Sequence, residues 1–154
     1  MMTLLLAFLI GLFAGLRSLT APAATAWAAH LGWLKLERPL SLIGSLPVVV
    51  IFTLLAVAEL VADKLPKTPN RTSAMPLIAR AVMGALTGAC VAVGGKQSAI
   101  AGAVLGIAGS IVGAFGGYQV RKRLVKALGV PDLYIALLED IVTIAGSLWV
   151  VSRF

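Results

Sequence analysis

Arg17, Ser18 and Thr20, Glu59 and Asp63, Arg80, and Glu139 and Asp140 stand inside or at the margins of long apolar runs. Ionised side chains in hydrocarbon surroundings are costly, so they face a cavity, a partner or a pathway. Glu59 and Asp63 are four apart and share one face of a helix. Glu139 and Asp140 follow Asp132 by seven and eight residues, about 10–12 Å along a helix. Arg80 is their partner by depth. This spacing predicts a polar pocket formed by Glu59, Asp63, Arg80 and one of Glu139 or Asp140. Such a pocket suits a cation, a proton or a substrate amine, and it equally suits an ion-pair network that only specifies packing.

Arg17 belongs to Gly15-Leu16-Arg17-Ser18-Leu19-Thr20-Ala21-Pro22. Ser18 and Thr20 are good N-caps, and Pro22 is tolerated only in the first turn of a helix. A helix is therefore expected to break near Arg17 and restart near Thr20. The restarted helix would present free amides and the positive end of its dipole, and Arg17 would add a full charge. That combination is a candidate anion or headgroup site; alternatively Arg17 snorkels or neutralises a buried carboxylate. Farther along, Lys64, Lys67 and Arg71 flank two prolines in a short loop. They fit either a lipid phosphate or a solvated cytoplasmic anchor.

Other chemistry finds little support. His30 stands alone and Cys90 is the single cysteine, so no metal ligand set and no internal disulfide are expected. Gly94-Gly95-Lys96 lacks the rest of a phosphate-binding loop, and no nucleophile–base motif is visible. No catalytic residue and no cofactor is expected.

The elements that must position these groups are apolar helices. The 154 residues are 60% hydrophobic and only 12% charged, with a mean hydropathy of +1.01; a soluble domain carries about 25% charge. Five runs reach the length of about 20 residues that a spanning helix needs. The first runs from Met2 to Gly15 and continues irregularly to Trp33. The others cover Ile43 to Val61, Pro76 to Val93, Ser98 to Val120 and Leu133 to Val151. Met2 to Trp33 as one straight helix would measure about 48 Å against a hydrocarbon core of about 30 Å, so the first segment is broken or re-entrant. The fold expected is a single all-α membrane bundle over residues 1–154 with about five transmembrane helices.

The net charge of +7 would suggest nucleic acid in a soluble protein. Here it gathers in two short loops, Lys64 to Arg71 and Arg121 to Lys126, as in cytoplasmic anchors facing anionic lipid, and no nucleic-acid partner is expected. The bias predicts a cytoplasmic amino terminus and a carboxy terminus outside, with Trp27, Trp33 and Trp149 toward the outer interface. No cleaved leader is expected, since no basic residue precedes the first apolar stretch.

Gly102, Gly106, Gly109, Gly113 and Gly116 recur at spacings of four and three along one helix face, and Gly84 and Gly88 form a similar patch. Small residues let backbones approach closely in lipid. The stripe fits packing within the chain or a seam between two copies. A short echo, Gly11-Leu-Phe-Ala-Gly15 against Gly113-Ala-Phe-Gly-Gly117, is the pattern an inverted repeat would leave.

Read together, Gly15-Leu16-Arg17 with Pro22, Glu59 before Asp63-Lys64-Leu65-Pro66, Arg80 ahead of a glycine-rich span, and Glu139-Asp140 resemble a bacterial family of small inner-membrane proteins catalogued as domain of unknown function four-one-two-six. The resemblance covers nearly the whole chain. Many members carry a longer acidic and aromatic stretch after the proline, where this chain has Lys67-Thr68-Pro69-Asn70-Arg71-Thr72. The resemblance implies an inner-membrane location and no particular reaction. The expected function is a small transporter or permease for an ion or solute, with membrane lipids as neighbours and a homodimer as the candidate assembly. A lipid-phosphate-binding or lipid-handling protein and a structural or accessory membrane protein are the other classes.

Overall fold

The computed structural model describes residues 1–65 and 73–154, and these fold as helices with no strand among them. Six α-helices follow in order: α1 (Met2–Leu16), α2 (Thr20–His30), α3 (Leu46–Ala62), α4 (Ala74–Gly94), α5 (Ala99–Leu128) and α6 (Asp132–Val151), with a short 3-10 turn at Leu40–Gly44 before α3. The expected all-helical architecture is present. Three helices, α4, α5 and α6, are long and apolar enough to cross a membrane, while α1 and α3 are apolar but shorter.

Local chemistry sets the ends. Pro47 sits in the first turn of α3, where a missing N–H removes no helical bond. The Ser98 hydroxyl caps α5 by accepting from the Ala101 amide at 3.4 Å. Gly129, at φ +60°, stops α5 in the left-handed conformation that glycine adopts without strain. Because that stop lies at Gly129, α5 runs eight residues beyond the expected boundary at Val120. Its 30 residues make about 45 Å, longer than a hydrocarbon core of about 30 Å. Arg121, Lys122, Arg123 and Lys126 continue the helix because Lys and Arg are good helix formers.

The first segment breaks where expected. Arg17 is extended (φ −137°, ψ 115°) between α1 and α2. The chain then turns back. Gly95, at the α4–α5 turn, lies against Thr3 near the start of α1, and Gly94 lies against Leu34 just after α2. The first segment is therefore a helical hairpin, with its base beside the α4–α5 turn and its tip at Arg17. Phe154 also lies beside Gly94. Thr3 and Phe154 thus share the base end of the bundle, where the charge pattern had suggested opposite ends. The difference arises because the first segment returns to the end it started from.

Glycine governs the packing at the centre. A Cβ on Gly106 would collide with the Gly84 carbonyl oxygen, and one on Gly11 with that of Gly106. Gly88 meets Gly102 and Gly106, Gly15 meets Ser110 and Ala114, and Gly113 meets Leu12 and Gly15. Helix α5 is thus sandwiched backbone to backbone between α1 and α4, so the stripe packs within the chain. Gly116 is the exception, with open space around its missing Cβ. The contacts rise together along α1 and α5, from Gly11 on Gly106 to Leu16 on Gly117. The two helices therefore run parallel, contrary to the opposite directions assumed for the echo.

The outer faces carry Leu54, Val57 and Val61 on α3, Ile100 and Val104 on α5, and Ile141 and Leu148 on α6, all exposed. Apolar surface on this scale is compatible with a membrane protein, since soluble monomers rarely expose large contiguous apolar patches.

Candidate functional site

At the tip end five elements converge. The Arg17 side chain is 1% exposed. It reaches its position because α1 is seated on α5 as far as Gly15 and the chain extends only at residue 17. Its two terminal nitrogens point to different helices. Nη1 lies 2.7 Å from Asp63 at the end of α3, and Nη2 donates to Asp140 of α6. Asp140 accepts from Lys64 Nζ at 2.8 Å through its second oxygen. Asp63 is shared with Arg121 of α5 at 3.2 Å. Arg121 in turn donates to Asp132 through Nε at 2.7 Å, and it lies 3.6 Å from Glu139. Arg17 Nε has no hydrogen-bond partner among the described residues.

Glu59 has a different task. One oxygen accepts from the Ser18 amide at 2.8 Å and from its hydroxyl at 2.5 Å, and the other accepts from the Leu19 amide at 2.9 Å. The amides expected to await an external anion are thus capped by the protein's own carboxylate on α3. Ser18 is not a helix cap by its side chain; the N-cap is Leu19, with no side-chain bond of its own. The physical reason is strength: a carboxylate accepting amide bonds outcompetes a neutral hydroxyl. The Thr20 hydroxyl is buried and has no hydrogen-bond partner among the described residues.

Of the residues singled out in the sequence, Arg17, Asp63, Lys64, Glu139 and Asp140 enter one linked cluster, and Ser18 with Glu59 forms the adjoining cap. Asp140 takes Arg17 and Lys64 as its cations, both brought to it by the packing of the hairpin tip and the end of α3 against α6. Arg80 is itself buried in α4. Lys64, considered for a lipid phosphate, spends its ammonium on Asp140 and the Leu60 carbonyl; Lys67 and Arg71 lie outside the described residues.

Arg121 and Asp132 are members that sequence reasoning missed. Arg121 looked like the first of a basic run at a helix end. The usable signal was that it follows Gly113 by eight and Gly117 by four, on the inward glycine face. Thr143 and Ser147, three and seven residues after Asp140, continue the same buried stripe of α6. Among the described residues no group of three His, Cys, Asp or Glu side chains is placed to hold a metal ion.

A cluster of this kind can do two things. Fully matched, it locks the hairpin tip to α3, α5 and α6 through charge-assisted bonds. When one partner is protonated or displaced, the rest are left as uncompensated buried charge, which drives rearrangement.

The sequence model of the family described as Domain of unknown function (DUF4126) matches residues 4–152. No curated protein and no solved structure matches the chain.

Proposed function

The chain belongs to the DUF4126 family, a domain of unknown function, and from that premise we propose that it is a bacterial inner-membrane transporter of a small ion or solute. The observation that carries this reading is Arg17: a fully buried cation, in extended backbone at the tip of a helical hairpin, bonded to carboxylates of two other helices. Discontinuous segments of this kind build transport sites, because irregular backbone at membrane depth is tolerated only where protein or a cavity satisfies it. The cluster and its surroundings hold Glu59, Asp63, Asp132, Glu139 and Asp140 against Arg17, Lys64, Arg80 and Arg121 among the described residues. Arg17 and Lys64 both bond to Asp140, and Arg17 and Arg121 share Asp63, so a proton or cation competing at one carboxylate disturbs several bonds at once. A proton on Asp140 would release Arg17 and Lys64 together and free the tip.

Lys64 and the Arg121–Lys126 end of α5 lie at the tip end, which favours a cytoplasmic tip end and an outward base end carrying both Thr3 and Phe154. A reporter active only outside the cytoplasm is expected to signal when fused at either terminus and to stay silent when fused after Lys126. Silence of the amino-terminal fusion would restore a crossing first segment.

The transport reading is tested in liposomes holding the purified chain and a pH-sensitive dye. Proton or alkali-cation entry above that of empty liposomes is expected, and Asp140→Asn should abolish it while keeping the helical circular dichroism. Correctly inserted wild-type protein that carries no proton or cation flux would end the proposal.

A further inference from the structure

A groove of about 340 Å³ runs between α1, α5 and α6 on the side away from α4. Its walls are apolar, formed by Leu12, Gly116, Val120, Leu138 and Val142, and Arg121 and Glu139 stand in the wall near the tip end, with Leu124 and Ile135 beyond them. It opens sideways, since Gly116, Val120, Leu138 and Val142 are all exposed.

We propose that this groove holds one acyl chain of an anionic glycerophospholipid from the tip-end leaflet, with the lipid phosphate on Arg123. The inference rests on α5 and α6 crossing a membrane; it does not depend on transport.

Two observations select this occupant. The first is length. The groove extends along α5 from Val112 to Leu124, about 18 Å at 1.5 Å per residue, close to one leaflet of a core about 30 Å thick. The second is charge at the correct end. Arg123 follows Gly116 by seven residues, two helical turns, and so stands on the same side of α5, beside the tip end of the groove at Leu124. It is exposed, as is Lys126 one turn later. Arg121 is not the phosphate ligand, because Asp63, Asp132 and Glu139 already surround it.

Gly116 gives a clean handle, because a side chain there meets open groove and no protein atom within 4 Å. Gly116→Leu should fill the groove and leave the helix contacts intact. The experiment is native mass spectrometry of the full chain in detergent, offered phosphatidylglycerol, phosphatidylcholine or glycerol phosphate. Wild type should retain phosphatidylglycerol in preference to phosphatidylcholine. Arg123→Gln should reduce that preference about fivefold, the share of one basic residue at the headgroup. Gly116→Leu should lose the retained lipid and keep the thermal midpoint measured without lipid. Equal retention by Gly116→Leu would overturn the proposal, as would an unchanged preference in Arg123→Gln. Displacement of the lipid by glycerol phosphate would show a free-anion site instead. Conversion of a dimer to a monomer by Gly116→Leu would show that a second copy, and not a lipid, occupies the groove.

Discussion

Helix α1 and the tip that follows it are held by different physics. From Phe8 to Gly15 the helix presses backbone to backbone on α5, and the contacts are carbonyls and α-carbons of Gly106, Gly109, Ser110 and Gly113. Two residues later Arg17, Ser18 and Leu19 are held by Asp63, Asp140 and Glu59 through directional, charge-assisted bonds. The glycine seam depends on shape, is indifferent to pH, and fails when volume is added. The tip depends on charge balance, and fails when one partner changes protonation state. The hairpin thus joins a shaft held by close packing to a tip held by charge, and the two respond to different perturbations.

The comparison can be broken most forcefully at the tip. Arg17→Met should leave Asp63 and Asp140 short of a buried cation and cost roughly 3–5 kcal/mol of stability, read as a lowered thermal midpoint in detergent. A midpoint unchanged from wild type would mean that the cluster is hydrated and slack, and the distinction between shaft and tip would lose its basis.

The next largest effect is expected at Glu59. Glu59→Gln keeps one carbonyl acceptor for two amides and a hydroxyl, so about 1.5–3 kcal/mol should be lost, the range for hydrogen bonds to a charged group. Amide hydrogen exchange at Ser18 and Leu19 should accelerate, while exchange in α1 between Ile10 and Ala14 should not. Equal acceleration in both would show that tip and shaft open as one unit.

The smallest effects separate two glycines of one helix. Gly106→Ala pushes a methyl group into the Gly84 carbonyl and should cost about 1–3 kcal/mol. Gly116→Ala meets open space and should be neutral or stabilising by up to about 1 kcal/mol, the helix-propensity gain. Similar midpoints for the two variants would mean that the seam tolerates expansion and is not the rigid element.

Much of this architecture was legible in the residues. Apolar runs and their interruptions marked helices close to α3, α4 and α6, because those periodicities are local. Gly15-Leu16-Arg17 and Pro22 marked the break in the first segment, because an extended residue and an early proline are local events too. The glycine spacing marked an inward face on α5, because any residue on that face must meet a neighbour.

What the sequence could not determine was the direction taken after Arg17. Ser18 to Thr20 are compatible with a kinked helix that continues and with a hairpin that returns, since both satisfy the same local torsions. The choice came from Glu59, 41 residues away, which caps the returning helix, and from the Gly11–Gly106 contact that aligns α1 parallel to α5. The same folding decided which charges meet. Arg17, Asp63, Arg121 and Asp140 are scattered along the chain, and spacing within one helix cannot say which cation a carboxylate will find. Only tertiary packing does that, because the energy of a buried charge depends on the partner within a few ångströms and not on its distance along the chain.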